Sequence, residues 1–470
     1  MPEFDLVILG GGTGGYVAAI RAGQLGMKVA VVERDRVGGT CLHRGCIPTK
    51  AFLRSAEVYH DLTHAAEYGL RAGEVGVNWA QVLARKDKVV TNLWKGVQGL
   101  LRKNGVTVIE GTGTLMAPSI FTPNGWVSVE TAGGGQEKLE AQHILIATGS
   151  RPRTLGIPVD GEHVFTSDEA VNWDRLPDSV VILGGGAIGM EWASLYADLG
   201  VRVTVLEMLP RILPLEDEEV SAEAEKLLRR RKIEIVTGAK VDPQSVRVEG
   251  GRVTLRYEAG GEARQAEAGM LLVSVGRAPN SEGIGLENFE RIRLDRGYIV
   301  VDEYGRTGQP GIYAIGDVVG GGLAHVAAHQ GIVAVEHMAG LEPHPVDLKK
   351  VPRCTYTRPE VASVGLTEAE ARAAGHEVKV GKFPFRGIGK ALVFGDVDGF
   401  AKLVADAKTG ELLGAHLIGP HVTDLISEAG LALLLNATAW EVSVAVHPHP
   451  TLSEIFGEAA LATEGRAIHI

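Results

Sequence analysis

One unit occurs twice in this chain: a short apolar run, a glycine loop, the start of a helix, and a second apolar run ending in an acid. The first copy reads Leu6-Val7-Ile8-Leu9, then Gly10-Gly11-Gly12-Thr13-Gly14-Gly15, then Tyr16 to Ala22, then Val29-Ala30-Val31-Val32-Glu33. The second reads Val180-Val181-Ile182-Leu183, then Gly184-Gly185-Gly186-Ala187-Ile188-Gly189, then a helix from Met190, then Val201 to Leu206 and Glu207. Both fit G-x-G-x-x-G, and in both the acid stands 23 positions after the first glycine. A lone glycine motif is weak. Two complete strand–loop–helix–strand contexts with the acid in register predict an α/β chain with two Rossmann-like dinucleotide-binding domains.

In such a unit the first glycine permits the tight turn and the second lets the backbone approach a pyrophosphate. The third lets helix and strand pack closely, while the helix N-terminus faces the phosphate charge. The terminal Glu accepts from ribose hydroxyls, and a carboxylate at Glu207 would repel a 2′-phosphate, so NAD is favoured over NADP. Three further segments fit the same sheets. His143 to Ser150 and Leu271 to Asn280 are apolar strands breaking into Gly turns, and Gly311 to Asp317 is a strand presenting an acid at its C-terminal end. Arg151-Pro152-Arg153 and Arg277-Ala278-Pro279 mark expected crossings between domains. At 470 residues the chain is too long for one core and suggests about three domains.

Two of the three cysteines, Cys41 and Cys46, lie in Gly38 to Lys50, directly after the first copy. A structural disulfide closing so short a loop would stabilise by only about 2 kcal/mol. No second Cys pair completes a zinc site, and inert thiols would not need Gly39 and Gly45 beside them. A disulfide made and broken in turnover is the better reading. Cys354 stands alone and reads as a structural thiol. His447 and His449 form an H-x-H that could suggest metal, but Glu454 follows five residues later, so a His449–carboxylate general base is preferred. His329 and the run Arg229-Arg230-Arg231-Lys232 read as structural and solvated, respectively.

A formal net charge of −11 without a long basic block argues against nucleic acid and acidic membranes as partners. No apolar run approaches the ~18–20 residues that span a bilayer. Three cysteines suit a reducing compartment. The start, Met1-Pro2-Glu3-Phe4-Asp5, lacks a basic or Arg-rich presequence, so neither secretion nor import is expected. A cytoplasmic chain is expected, with no lipoyl domain ahead of the first strand.

Taken together, Gly38 to Lys50, the paired glycine loops, Tyr313 to Asp317 and His447 to Glu454 resemble the pyridine nucleotide–disulfide oxidoreductase family, and within it the dihydrolipoamide dehydrogenases, from about residue 4 to about residue 460. The resemblance implies FAD and NAD as cofactors. It places Gly10, Gly12, Gly15, Glu33, Arg34, Gly39, Thr40, Lys50, Gly113, Thr148, Gly149, Ser150, Asp317, Leu323, Ala324 and His325 around FAD. Gly184, Gly186, Ile188, Gly189, Glu191, Glu207, Val241 and Gly276 would form the NAD site, with Arg277 beside it. Cys41 would exchange with substrate, Cys46 would face the flavin, and His449 with Glu454 would be the base, supplied across a homodimer. The implied division is an FAD domain over 1–149, an NAD domain over 150–276, a returning central segment over 277–349 and an α+β dimerisation domain over 350–470.

The implied activity is reoxidation of dihydrolipoyl groups carried by the acyltransferase subunit of a 2-oxo acid dehydrogenase complex. The chain departs from the family's common pattern at His43-Arg44, where Asn-Val is usual, at Thr49 for Ser, and at Pro448 for Ala. His43 and Arg44 are expected to add positive charge near the thiols. Rivals fit less well. A mercuric-type reductase usually carries a vicinal Cys pair near its C-terminus, where this chain ends Gly465 to Ile470. Glutathione-type reductases would want basic residues at Glu207. A flavoprotein kept only as a structural subunit would not need intact Cys41, Cys46, His449 and Glu454.

Overall fold

The computed structural model describes residues 3–120, 122, 124–131 and 133–470, so Met1 and Pro2 of the opening run lie outside it. The chain divides into two compact units.

The first unit takes residues 1–51, 83–153 and 276–346. At its centre lies a seven-stranded sheet in the order Ile312–Ala314, Ala141–Ile146, Phe4–Leu9, Val29–Glu33, Thr107–Met116, Trp126–Thr131, Gln136–Leu139. The pairings joining its first five strands are parallel and the last two antiparallel. Leu6, Val7, Ile8 and Leu9 are all buried. An unbroken apolar run is what a parallel strand covered on both faces requires. The helix Thr13–Gln24 buries Gly14, Gly15, Ala18, Ala19 and Ala22, small residues at helical spacing. They admit a second helix, Ala324–Met338, so closely that a Cβ on Gly331 would lie 2.7 Å from the Gly14 carbonyl oxygen. The Arg21 guanidinium fixes the pair by donating to Glu336 at 2.6 and 2.8 Å.

The second unit takes residues 52–82, 154–275 and 347–470. Its parallel sheet runs Glu234–Val236, Arg202–Leu206, Ser179–Leu183, Met270–Val273, Val164–Thr166. A separate antiparallel sheet has the order Arg353–Thr355, Glu360–Gly365, Leu412–Gly419, Phe400–Asp406, Val378–Pro384. The helices Val422–Leu434 and Glu454–Ala462 join its core, which holds Phe383, Phe385, Leu403, Leu417, Ile455 and Phe456. One polar row crosses this sheet from edge to edge: Arg353, Ser363, His416, Lys402 and Lys382 are successive register partners on its five strands. Lys402, 2 % exposed, meets Asp217 at 3.1 Å and Glu219 and Glu368 at 2.8 Å each. A buried ammonium persists only with such partners.

Candidate active site

Each glycine loop leaves its sheet at the C-terminal end of a central strand, where α/β folds hold ligands. Gly10 has φ +98° and Gly184 φ +102°, so the turn itself demands glycine at both. A Cβ on Gly15 would sit 1.9 Å from the Gly10 carbonyl oxygen, and one on Gly189 2.0 Å from that of Gly184. The middle glycines differ: a Cβ on Gly12 meets nothing closer than 4.0 Å, and one on Gly186 nothing within 4 Å. Crowded first and third positions and an open second one are the arrangement that a phosphate needs. Gly12 and Gly186 are the N-caps of Thr13–Gln24 and Ala187–Asp198 and offer no side-chain cap, leaving helix N–H groups for an anion.

The acids close both loops in the same way. Glu33 accepts from the Gly11 N–H at 2.7 Å and the Asp35 N–H at 2.9 Å. Glu207 accepts from the Gly185 N–H at 2.5 Å and the Leu209 N–H at 2.7 Å. Burial pushes the Glu33 carboxyl above its ordinary range, against the pull of the Gly11 N–H.

Around the first loop a cleft of about 380 Å³ is lined by Gly10, Glu33, Arg34, Gly113 and Thr148, together with Asn280. The Thr148 hydroxyl donates to the Asn280 carbonyl at 2.8 Å, and the Asn280 amide returns a bond to the Thr148 carbonyl at 3.0 Å. Gly149 turns the chain at φ +71°. Beyond it Ser150 donates to Asp317 at 2.5 Å, and Arg277 donates to the Ser150 hydroxyl at 2.7 Å. Leu323 caps the helix that carries Ala324 and His325. A Cβ on Gly39 would lie 2.6 Å from the Gly12 Cα, which puts Thr40 and the cysteine segment directly against the glycine loop. The residues present therefore fit a dinucleotide.

Cys41 lies on the short helix Gly39–His43, Cys46 opens the helix Cys46–Thr63, and the two are disulfide-bonded with Cα atoms 4.7 Å apart. Lys50 comes one turn into the same helix. The surroundings of His43 and Arg44 bear on the positive charge expected from them. Burial pulls the His43 imidazole below its ordinary pKa, and Arg44 is paired with Asp35.

In the second unit Glu191 is buried and accepts from the Tyr356 N–H at 3.0 Å. Val241 sits on the strand Lys240–Val241, and Ile188 is partly exposed beside the second loop. Gly276 belongs to the first unit, where its carbonyl accepts from the Arg153 N–H at 2.9 Å. His449 Nδ1 lies 2.9 Å from Glu454 Oε1, and Glu454 Oε2 accepts from the Thr451 N–H at 2.9 Å. Burial raises the Glu454 carboxyl, but those bonds outweigh it and hold it below its ordinary pKa. A carboxylate so held fixes the orientation of the ring and the tautomer it presents. The other histidine of the pair takes a separate partner: His447 Nε2 meets Glu428 at 2.7 Å. The His449 side chain is 78 % exposed and that of His447 11 %, so His449 is the one open to a substrate. Sequence alone does not mark Asn280 and Glu428 as site residues, because neither stands in a motif and their partners lie 132 and 19 positions away.

The sequence matches the pyridine nucleotide–disulphide oxidoreductase family over residues 4–331 and that family's dimerisation domain over residues 351–460. The chain belongs to this family. It is 56 % identical over 471 residues to a dihydrolipoyl dehydrogenase of Bacillus subtilis, covering 99 % of each chain. It is 47 % identical over 470 residues, again 99 % of each, to a dihydrolipoyl dehydrogenase of Zymomonas mobilis. Among solved structures, LpdA from Mycobacterium tuberculosis superposes with a TM-score of 0.90 at 31 % identity, covering 97 % of this chain and 98 % of that one. The flavoprotein disulfide reductase RclA from Escherichia coli gives 0.84 at 26 % identity, with 98 % and 99 % covered.

Proposed function

We propose that this protein is an NAD-dependent dihydrolipoamide dehydrogenase: it reoxidises dihydrolipoyl groups of 2-oxo acid dehydrogenase complexes through the Cys41–Cys46 disulfide. The observation that carries the reading is the placement of that disulfide in the segment lying directly against the first glycine loop.

His449, held by Glu454, takes a proton from one substrate thiol. The thiolate attacks Cys41 Sγ, the Cys41–Cys46 bond breaks, and Cys46 leaves as a thiolate. The second substrate thiol then attacks the mixed disulfide at the lipoyl sulfur, and the cyclic lipoyl disulfide departs. Two electrons have then moved from the substrate dithiol to the cysteine pair. One proton rests on His449, the second thiol's proton goes to the released Cys41 sulfur, and Cys46 remains a thiolate. FAD, held by Gly10, Gly12, Gly15, Glu33, Arg34, Gly113, Thr148, Ser150 and Asp317, would supply the two-electron relay to NAD⁺, held by the loop Gly184 to Gly189 and Glu207.

We further read the dimer as the working form, with His449 reaching the disulfide of the other subunit. The dimerisation-domain match supports it, as does an unpartnered apolar face: Leu431, Leu434, Leu435 and Trp440 are all exposed. The domain limits 1–149, 150–276, 277–349 and 350–470 and a cytoplasmic location belong to the same reading. For the location, the support is the small number of cysteines; among the described residues no helix is long and apolar enough to cross a membrane.

The test is direct. Purified protein should be yellow, carry one FAD per chain and form NADH from NAD⁺ and dihydrolipoamide. A folded protein that cannot be reconstituted with FAD, or one that forms no NADH, ends the proposal.

A further inference from the structure

His43 stands between the two active cysteines, and its side chain points inward. Its Nε2 lies 3.0 Å from the Val37 carbonyl oxygen. A carbonyl only accepts, so Nε2 carries the hydrogen and the tautomer is fixed. The ring meets Trp94 edge-on, with centroids 6.1 Å apart and planes at 77°. The Arg36 guanidinium lies 5.1 Å from the Trp94 ring centroid.

Val37 is itself anchored. The next residue, Gly38, donates from its N–H to the Gly11 carbonyl at 2.7 Å, and a Cβ on Gly11 would touch Val37 Cγ1 at 3.0 Å. Within the cysteine loop the Arg44 N–H donates to the Thr40 carbonyl at 2.8 Å, and a Cβ on Gly45 would lie 3.1 Å from that same oxygen. The His43 hydrogen bond, half-buried, and the more exposed Arg44–Asp35 pair therefore tie the turn between the thiols to the segment closing on the glycine loop.

We infer that His43 is a positioning residue that sets the redox equilibrium of the Cys41–Cys46 pair by holding the two thiols within closing distance when the bond between them is broken. The inference rests on the proposed function only in its choice of reductant. In the disulfide form the covalent bond already restrains the loop. In the dithiol form the restraint falls to the backbone, the buried Leu42, the half-exposed Arg44–Asp35 pair and the His43 tie. Loosening the tie gives conformational freedom to the dithiol alone and moves the equilibrium toward reduced enzyme. The exchange balances: the substrate S–H bonds are lost and its S–S bond forms, while the Cys41–Cys46 bond breaks, leaving Cys41 a thiol, Cys46 a thiolate and one proton on His449.

The experiment equilibrates FAD-loaded enzyme anaerobically with fixed dihydrolipoamide/lipoamide ratios and counts reduced Cys41 and Cys46 by mass-tag alkylation. His43→Phe keeps a ring against Trp94 and removes the donor. His43→Gln removes the ring and keeps an N–H at similar reach. His43→Phe and His43→Ala should shift the equilibrium toward the dithiol about tenfold, or about 30 mV for a two-electron couple. His43→Gln should stay within about twofold of wild type on the same scale. An unshifted His43→Phe, or equal shifts in His43→Phe and His43→Gln, would overturn the inference, because ring packing alone would then explain the residue. If His43→Ala loses FAD, the Phe–Gln pair decides. If dihydrolipoamide does not reduce wild type, the proposed function has failed, and the same comparison in a dithiothreitol redox buffer still tests His43.

Discussion

The two glycine loops share their crowded first and third glycines and the backbone contacts of their acids, and then part. After Glu33 the chain returns to its loop through Val37 and Gly38, and the Gly38 N–H donates to the Gly11 carbonyl at 2.7 Å. After Glu207 it returns through Ile212 and Leu213, and the Leu213 N–H donates to the Gly185 carbonyl at 2.8 Å. Val37 and Ile212 fill equivalent places, 3.0 and 2.9 Å from a Cβ on Gly11 and Gly185. The residue after each has positive φ, +111° at Gly38 and +45° at Leu213. Beyond that point the first copy runs into Gly39, which brings the backbone against Gly12, and then into the disulfide. The second runs into Glu216 and Asp217, where Arg353 and Lys402 hold it. Nucleotide binding is the repeated part. The segment after the acid determines whether the loop also carries redox chemistry or is simply fixed in place.

If the copies are equivalent but independent, the largest effect should come from their third glycines. Gly15→Ala forces a methyl to within 1.9 Å of the Gly10 carbonyl oxygen, and should purify nearly colourless and inactive in every assay. Gly189→Ala meets the Gly184 carbonyl oxygen at 2.0 Å. It should keep FAD and accept electrons from dihydrolipoamide, while its kcat/KM for NAD⁺ falls on the order of 10²-fold as charge-assisted backbone bonds to phosphate are lost. Absorbance spectra and anaerobic reduction separate the two. FAD loss in both variants would break the comparison.

His449→Gln lies outside both copies and should spare both. Lipoyl turnover should fall about 10²–10⁴-fold, the usual contribution of a positioned base, while NADH oxidation with a quinone acceptor persists. Mixing His449→Gln with Cys41→Ser subunits should restore activity if the base acts across a dimer. No recovery in a verified heterodimer would put base and disulfide in one chain.

The repeated part of the molecule was legible because its constraints are local. A turn that admits only glycine, a helix starting on it and an acid one strand later all fall within 24 residues in each copy. The Cys41–Cys46 and His449–Glu454 pairs are also short-range, five positions each. The features that escaped have remote partners. Nothing near Lys402 in sequence announces that Asp217, 185 positions earlier, meets it, and an alternating strand would assign a Lys to solvent. Charge is the role that sequence suggests for His43. Its bond to Val37 and its edge-on contact with Trp94, from a helix some 50 residues away, are visible only in the fold.

The polar row offers a smaller, structural contrast. Lys402→Met leaves Asp217, Glu219 and Glu368 facing one another, and should cost about 3–5 kcal/mol, as when one partner of a buried ion cluster is removed. The loss should appear as a lower thermal midpoint and weaker NAD⁺ binding with FAD content intact. In wild type burial raises Asp217 and Glu219, but Lys402 outweighs it, and both titrate below their ordinary values of 3.8 and 4.5. Glu368 is lowered first by Lys402 and then by Arg372. A depressed carboxylate contributes stability that is present above its unfolded pKa and disappears as pH falls through the folded one. Wild-type stability should therefore decline below about pH 4.5, and Lys402→Met should flatten that decline. An equally steep profile in the variant would place the acid sensitivity elsewhere.

Glu207 gives the finest test of how far the copies are alike. Its two carboxylate oxygens are each committed to one backbone N–H, Gly185 and Leu209. Each oxygen retains a second lone pair for a ribose hydroxyl. The negative charge meanwhile opposes a 2′-phosphate at the same point. Glu207→Ala removes attraction for NAD and repulsion of NADP together, so kcat/KM for NAD⁺ should fall and the NAD⁺/NADP⁺ preference should narrow about tenfold, the size of one hydrogen bond to a charged group. Glu207→Gln keeps one acceptor and loses the charge, and should fall between. Both nucleotides are compared at saturating dihydrolipoamide. If Glu207→Ala lowers both efficiencies equally, the acid only braces the glycine loop, and cofactor choice lies outside the repeated unit.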